Sequence, residues 1–454
     1  MRQRILSGPI LPTVIRLSLP VVGGNLLQTV YEWTDTFWLG RVGPEAVGAV
    51  ALSFPAFMLV VSFALGFTIA GTALVAQRTG AGDQDGVNRV AGQTILLVGA
   101  LSVILAIVGA QSVPLVLRLM QTPPDVWDEA FIYLRIFYYG LPSMFFFFLF
   151  EALLRGWGDT VTPMKIMAVA VAINVVLDPI LIFGWGPFPE MGVAGASVAT
   201  VLSRSVGAAI AWLLMLRGNY GINVRLAHLK PDFKAIRQIV VLGLPSSVEM
   251  SIRGFDMSLM TGLVAAFGST ALAAYGITGR LFSLVLLIAM AISIASTTMV
   301  GQNIGAKQHR RALASGWTSA GLTFAVTSAF AVLCMLIPDQ LVGMFNRDPG
   351  VLEVGRHFLR TVSPLFGFVG IAIVLAGGLR GAGRTFAPLV FAILTGFVFR
   401  FPSAWFLSNY LDWGLTGVWW GLNISYFLGS MMIAMWFQRV GRGEPSPKAV
   451  GAQG

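Results

Sequence analysis

Polar and charged residues along the chain gather in short stretches between long, nearly unbroken apolar runs. A helix needs about 20 predominantly apolar residues to cross a bilayer. Twelve runs reach that length, near 14–38, 47–76, 91–117, 131–153, 162–185, 192–216, 238–266, 271–300, 313–337, 358–379, 386–409 and 414–437. The connections are short, and the longest polar stretch, 217–238, is too small to be a soluble domain. The pattern predicts an all-α membrane protein with twelve transmembrane helices, and it places function inside the membrane. The first apolar run is too long for a signal h-region and no small-residue cleavage pattern follows it, so it reads as the first span.

Positive charge sets the orientation. With the N-terminus inside, 20 of the 30 lysines and arginines fall on the inner side and six (Arg41, Arg118, Arg135, Arg347, Arg356 and Arg360) on the outer side. The remaining four, Arg204, Arg253, Arg280 and Arg400, fall within spans. This bias predicts cytoplasmic termini at both ends, and the absence of organelle-targeting signals points to a plasma (inner) membrane.

The second half repeats the first at a constant offset of 225 residues. Leu19-Pro20 matches Leu244-Pro245, Gln77 and Gly80 match Gln302 and Gly305, and Leu154-Arg155-Gly156 matches Leu379-Arg380-Gly381. Each unit holds six spans, an even number, so both enter from the cytoplasm and the repeat is parallel. The expected organisation is an N-terminal six-helix bundle (1–218), a cytoplasmic linker (219–237), a C-terminal six-helix bundle (238–440) and a cytoplasmic tail (441–454), with the bundles around a central cleft. Two matched bundles suit alternating access around one site.

Composition removes most other classes. The 454 residues are 56% hydrophobic and only 11% charged, against about 25% charged in ordinary soluble chains. A cytosolic enzyme and a nucleic-acid-binding domain are excluded, and the net charge of +10 reflects the loop bias. The lone cysteine, Cys334, permits no disulfide framework. His228, His309 and His357 lack metal-ligand spacing, and none of the five lysines follows a glycine as a P-loop requires. No zinc site, ATP hydrolysis, enzymatic centre or cofactor is expected.

Ionisable groups inside spans are costly and are therefore the functional candidates, an Asp at a helix centre costing about 2.5–3.5 kcal/mol on insertion scales. Asp35 lies in the outer part of the first span and Asp178 in the outer part of the fifth. Asn174 stands four residues before Asp178, on the same helical face, and Thr200 reaches a similar depth on the sixth span. At the repeat offset Asp35 corresponds to Met260 and Asp178 to Ser403, so the acids are not part of the shared scaffold. Two carboxylates, an amide oxygen and a hydroxyl form an all-oxygen set that can bind a hard cation or hold protons. The alternative is that both acids are helix-end polar residues. Pro20, beside Gly23-Gly24, removes a backbone hydrogen bond from the helix carrying Asp35 and marks a bending point or a static kink. Tyr31, Glu32, Tyr139 and Met144 are candidates to line a substrate cavity. Glu249, Arg253 and Asp256 share a face of the seventh span, as a self-neutralising salt-bridge triad or a second functional cluster.

Taken in order, Pro20-x-x-Gly23-Gly24-Asn25, Asp35-Thr36, Ala76-Gln77 before Gly80-Ala81-Gly82, Leu154-Arg155-Gly156-x-Gly158-Asp159-Thr160 and Asn174-x-x-x-Asp178-Pro179 resemble the MATE (multidrug and toxic compound extrusion) exporters. The resemblance spans nearly the whole chain and includes the duplicated twelve-span plan. It implies an antiporter that exchanges Na⁺ or H⁺ for amphipathic, mostly cationic organic compounds. It also implies that the cation site of the prokaryotic multidrug branch falls on Asp35, Asn174, Asp178 and Thr200, with no metal beyond Na⁺. Another branch uses acids on the seventh and tenth spans. Glu249 matches the first of these, whereas 361–379 holds no acid. The expected partners are a small organic substrate, a monovalent cation or proton and the lipid bilayer, with no nucleic acid, and the expected state is a monomer. The rival readings are a lipid-linked saccharide flippase of the same superfamily and a non-transporting membrane scaffold or receptor.

Overall fold

A computed structural model describes residues 2–218 and 221–442. The expected tail beyond Arg442 and the first two positions of the expected linker lie outside the described residues. Every regular element among the described residues is helical. Twelve segments of membrane length occur there, in the predicted order: Ile10–Val42, Pro44–Ala81, Gln84–Leu119, Pro124–Trp157, Val161–Phe183, Gly192–Arg217, Phe233–Ala265, Ser269–Gly305, His309–Leu336, Pro349–Gly381, Phe386–Tyr410 and Leu415–Phe437. They are called the first to twelfth spans below. Eleven are apolar enough to cross a membrane. The exception is the seventh, which carries Glu249, Arg253 and Asp256.

Several spans start well before their apolar run, because capping rather than hydropathy sets a helix end. Asp83 begins the third span by accepting the Gly86 amide at 2.8 Å, and Asp348 begins the tenth by accepting that of Val351 at 3.0 Å. Pro124 and Pro349 occupy first helical positions, where a missing N–H costs nothing. Short helices at Arg2–Ser7 and Pro338–Gly343 have no counterpart in the hydropathy pattern. Nor do two π-helical stretches of the eleventh span, Leu394–Arg400 and Phe406–Tyr410, which flank Pro402. Proline and π-turns both release backbone groups from the α-ladder.

The chain forms two compact units. One comprises Leu19–Val75 and Asp83–Ser247; the other comprises Met1–Ser18, Ala76–Gly82 and Val248–Gly454. They are called the N-terminal and C-terminal units, although the first, second and seventh spans each contribute residues to both. The N-terminal unit packs around Leu134, Leu141, Phe147 and Leu153. In the C-terminal unit, Tyr275 stacks on Trp419 with ring centroids 5.9 Å apart, and Phe358 meets the same indole edge-on at 4.7 Å. Cys334 is free and fully buried there.

The repeat is visible in the packing of each unit. Within the N-terminal unit, Thr72 donates to the Ala152 carbonyl at 3.0 Å. Within the C-terminal unit its counterpart Thr297 donates to the Gly377 carbonyl at 2.9 Å. The glycines that follow, Gly156 and Gly381, press their backbones on the same two threonines, where an added Cβ would lie 2.6 Å and 2.2 Å from the Thr72 and Thr297 carbonyl oxygens. Gln77, Gly80, Gln302 and Gly305 meet reciprocally inside the C-terminal unit. A Cβ on Gly80 would stand 1.9 Å from the Gln302 carbonyl oxygen, and one on Gly305 would stand 1.8 Å from that of Gln77. Only glycine permits this approach of two helix backbones.

The polar segment after the sixth span is anchored rather than loose. Gln93, buried on the third span, donates to the carbonyls of His228 and Lys230 at 2.7 Å each and accepts the Asp232 amide at 2.9 Å. Gln93 thereby anchors the entry into the seventh span, which Asp232 caps by accepting the Lys234 and Ala235 amides.

Candidate functional site

Three helices of the N-terminal unit bring the four oxygen-bearing residues together. Asn174 and Asp178 are fully buried on the fifth span, and the Asn174 amide donates to Asp178 Oδ1 at 2.9 Å. The four-residue helical spacing gives this pair its alignment. From the sixth span, the Thr200 hydroxyl donates to Asp35 Oδ2 of the first span at 3.4 Å. Asp35 also lies near enough to Asn174 and Asp178 to interact with both. Each carboxylate keeps one buried oxygen without a donor, Oδ1 on Asp35 and Oδ2 on Asp178, and the Asn174 carbonyl oxygen is likewise unpartnered. Two adjacent carboxylates in a low-dielectric interior cannot both stay charged without a neutralising partner.

Arg204 is a fixed positive charge that this site feels. It sits one helical turn beyond Thr200, and its charge reaches Asp35 across the interior. Only 2% of it is exposed, yet it makes no ion pair among the described residues. Its guanidinium instead lies over the rings of Tyr31 at 4.6 Å, Phe147 at 5.0 Å and Phe148 at 5.2 Å. It also donates to Gln28 Oε1 and, at 3.4 Å, to the Met167 sulfur. Aromatic faces and neutral dipoles thus hold the cation. The Tyr31 hydroxyl completes the layer, 2.7 Å from Ser203 Oγ and donating to the Thr200 carbonyl at 3.3 Å.

The remaining sequence candidates separate. Tyr31 is buried in this network, and Glu32 reaches it through Gln28, whose amide donates to Glu32 Oε1 at 2.8 Å while Glu32 itself stays exposed. Met144 is buried in the apolar core of the unit. Tyr139 is 58% exposed, with the Arg135 guanidinium 6.0 Å from its ring. Pro20 lies inside a helix that runs unbroken from Ile10 to Val42. Sequence reading placed Arg204 in the membrane without a role, and it passed over Gln28 and Ser203. The usable signal was helical spacing, since Arg204 follows Thr200 by four residues.

The triad expected on the seventh span does not close on itself. Glu249, fully buried, takes Arg253 at 2.8 Å and also Arg380 from the tenth span at 2.8 Å. Asp256 pairs instead with Arg400 of the eleventh span, which in turn donates to Ser425 at 3.1 Å. The repeat explains the rearrangement. In the N-terminal unit Arg155 finds Glu151 one turn earlier on its own helix at 3.0 Å. The position equivalent to Glu151 is Ala376, so Arg380 turns to Glu249. Among the described residues no group of three or more His, Cys, Asp or Glu is arranged to hold a metal ion.

Comparison with known proteins agrees with this architecture. The family model MatE matches residues 20–180 and again 245–406, one match per repeat. A probable multidrug resistance protein NorM of Thermotoga maritima is 30% identical, covering 93% of this chain and 91% of its own length. The probable multidrug resistance protein YoeA of Bacillus subtilis is 29% identical, covering 93% and 92%. Among solved structures, the outward-facing conformation of a multidrug resistance MATE family transporter superposes with a TM-score of 0.90 at 25% identity, over 98% of both chains. Members of this family are transporters rather than enzymes. The chain is a multi-pass membrane protein that belongs to the MatE family of multidrug efflux transporters.

Proposed function

We propose that the protein is a cation-coupled antiporter in the plasma membrane, with both termini in the cytoplasm. It exports amphipathic, mostly cationic organic compounds by alternating access and works as a monomer without a cofactor. The observation that carries this reading is the pair Asp35 and Asp178, two carboxylates at close range with unpartnered oxygens, in only one of two otherwise repeated units. Such a pair binds Na⁺ or a proton because either discharges it. The Asn174 amide and the Thr200 hydroxyl orient the carboxylates, and Arg204 lowers the net negative charge that a single monovalent ion has to balance.

The cycle follows from that charge balance. Outside, where the cation is abundant, the pair takes up Na⁺ or H⁺ and the substrate-holding conformation loses stability. Cation and substrate thus favour different conformations, which is negative coupling. Pro20 supplies the weak point at which the helix carrying Asp35 bends. One charge moving down 100 mV provides about 2.3 kcal/mol, and a tenfold concentration ratio adds about 1.4 kcal/mol, enough to drive uphill export.

The test is efflux of a fluorescent organic cation from proteoliposomes, with Na⁺ and pH gradients imposed separately. One gradient is expected to drive export and thereby identify the coupling ion. D35N and D178N are each expected to abolish gradient-driven export while the protein still inserts and purifies normally. Undiminished efflux in both variants would remove this pair from the mechanism.

A further inference from the structure

The charges gathered around Glu249 and Asp256 in the C-terminal unit do not cancel. Glu249 accepts from two guanidinium groups, Arg380 through Nη2 at 2.8 Å and Nε at 3.3 Å, and Arg253 through Nη2 at 2.8 Å and Nε at 3.1 Å. Asp256 and Arg400 neutralise each other. Three arginines therefore face two acids, leaving one positive charge. It is not shared evenly. The Arg380 side chain is 9% exposed, whereas that of Arg253 is 47% exposed, and Nη1 of Arg253 takes no part in the contact with Glu249.

The depth of Arg253 gives that exposure its meaning. It lies twelve residues before the end of the seventh span at Ala265, about 18 Å at 1.5 Å per residue, and still farther from the start at Phe233. Arginines near helix ends can reach headgroups, but one this deep cannot leave half its side chain against acyl chains without a penalty of several kcal/mol. The exposed edge of Arg253 therefore meets water. A guanidinium with an unused N–H edge, a surplus positive charge and low-dielectric surroundings attracts an anion strongly. One turn further on the same helix, Met257 is 64% exposed and offers a soft apolar surface beside the charge.

We propose that Arg253 docks a carboxylate carried by the transported amphiphile, so that zwitterionic organic compounds are preferred over plain lipophilic cations. This rests on the export reading above and narrows its substrate class. The carboxylate would form a charge-assisted hydrogen bond with the outward N–H edge of Arg253, while Glu249 holds the opposite edge.

Rhodamine B and its ethyl ester provide the test, because they share the cationic ring system and differ in one free carboxylate. Binding is measured by fluorescence polarisation with the full-length protein in phosphatidylcholine nanodiscs. The wild type is expected to bind rhodamine B about tenfold more tightly than the ester, an ordinary value for one charge-assisted contact. R253Q is expected to erase the preference by weakening rhodamine B alone, and R253K to retain most of it. Equal binding of the two dyes by the wild type would overturn the proposal, as would a preference that survives R253Q. Equal weakening of both dyes in R253Q would also overturn it, because Arg253 would then act through packing. D178N separates this proposal from the coupling reading: it is expected to lose gradient-driven export and to keep the dye preference in binding.

Discussion

Arg204 shows most clearly what a single side chain can contribute at the acid pair. Held by three rings and two neutral acceptors, it places a permanent positive charge near Asp35 without forming a salt bridge that would occupy the carboxylate. R204M is expected to tighten the apparent affinity for the coupling cation by about tenfold, a shift of ~1.4 kcal/mol. The cation dependence of export measures this, with R204K as the variant that keeps the charge. An unchanged half-saturating cation concentration in R204M would show that its field does not reach the site. T200V removes one oxygen of the four-residue set and is expected to weaken Na⁺-driven export, whereas loss of the hydroxyl that donates to Asp35 at 3.4 Å leaves proton uptake at least as tight. Asp35, Asn174, Asp178 and Thr200 were legible in the sequence because acids inside apolar runs are conspicuous and helical spacing pairs neighbours. The partners of Arg204 were not, since aromatic rings and amides are unremarkable in a membrane span until the fold stacks them.

Single helices show the same division between what patterning reveals and what packing decides. The apolar runs marked all twelve segments of membrane length, the charge-bearing seventh least clearly, but not their polar ends, which Asp83, Asp348 and the leading prolines determine. The π-helical stretches around Pro402 left no trace in the hydropathy either, since they change hydrogen-bond register and not apolarity. The repeated glycines were legible as a motif, and the structure supplies their reason. G305A would place a methyl group 1.8 Å from the Gln77 carbonyl oxygen. It is expected to cost at least about 1–3 kcal/mol, as overpacked contacts do, and to lower the thermal unfolding midpoint in detergent. G279A on the same helix meets nothing within 4 Å and is expected to leave that midpoint unchanged or slightly raised. P20A restores a backbone hydrogen bond in the first span. It is expected to stiffen the helix and slow export while binding of a fluorescent substrate in nanodiscs persists; export at the wild-type rate would argue for a static kink.

For the molecule as a whole, duplication supplies a scaffold and divergence supplies the chemistry. The threonine bridges and the glycines that follow them recur in both units, whereas the two acids appear in one unit and the surplus arginine charge in the other. The charge bias of the loops predicts how this scaffold sits in the membrane. Trypsin is expected to cut after exposed Arg225 in inside-out vesicles and to spare it in right-side-out vesicles; the reverse pattern would invert the topology.

The lone thiol at Cys334 lies fully enclosed in the C-terminal unit. In consequence the natural chain is nearly silent toward maleimide reagents. Two surface cysteines, one engineered into each unit, would carry spin labels against a dark background. Pulsed dipolar spectra would then resolve the separate distances of the working cycle, and adding the driving ion would visibly redistribute their weights.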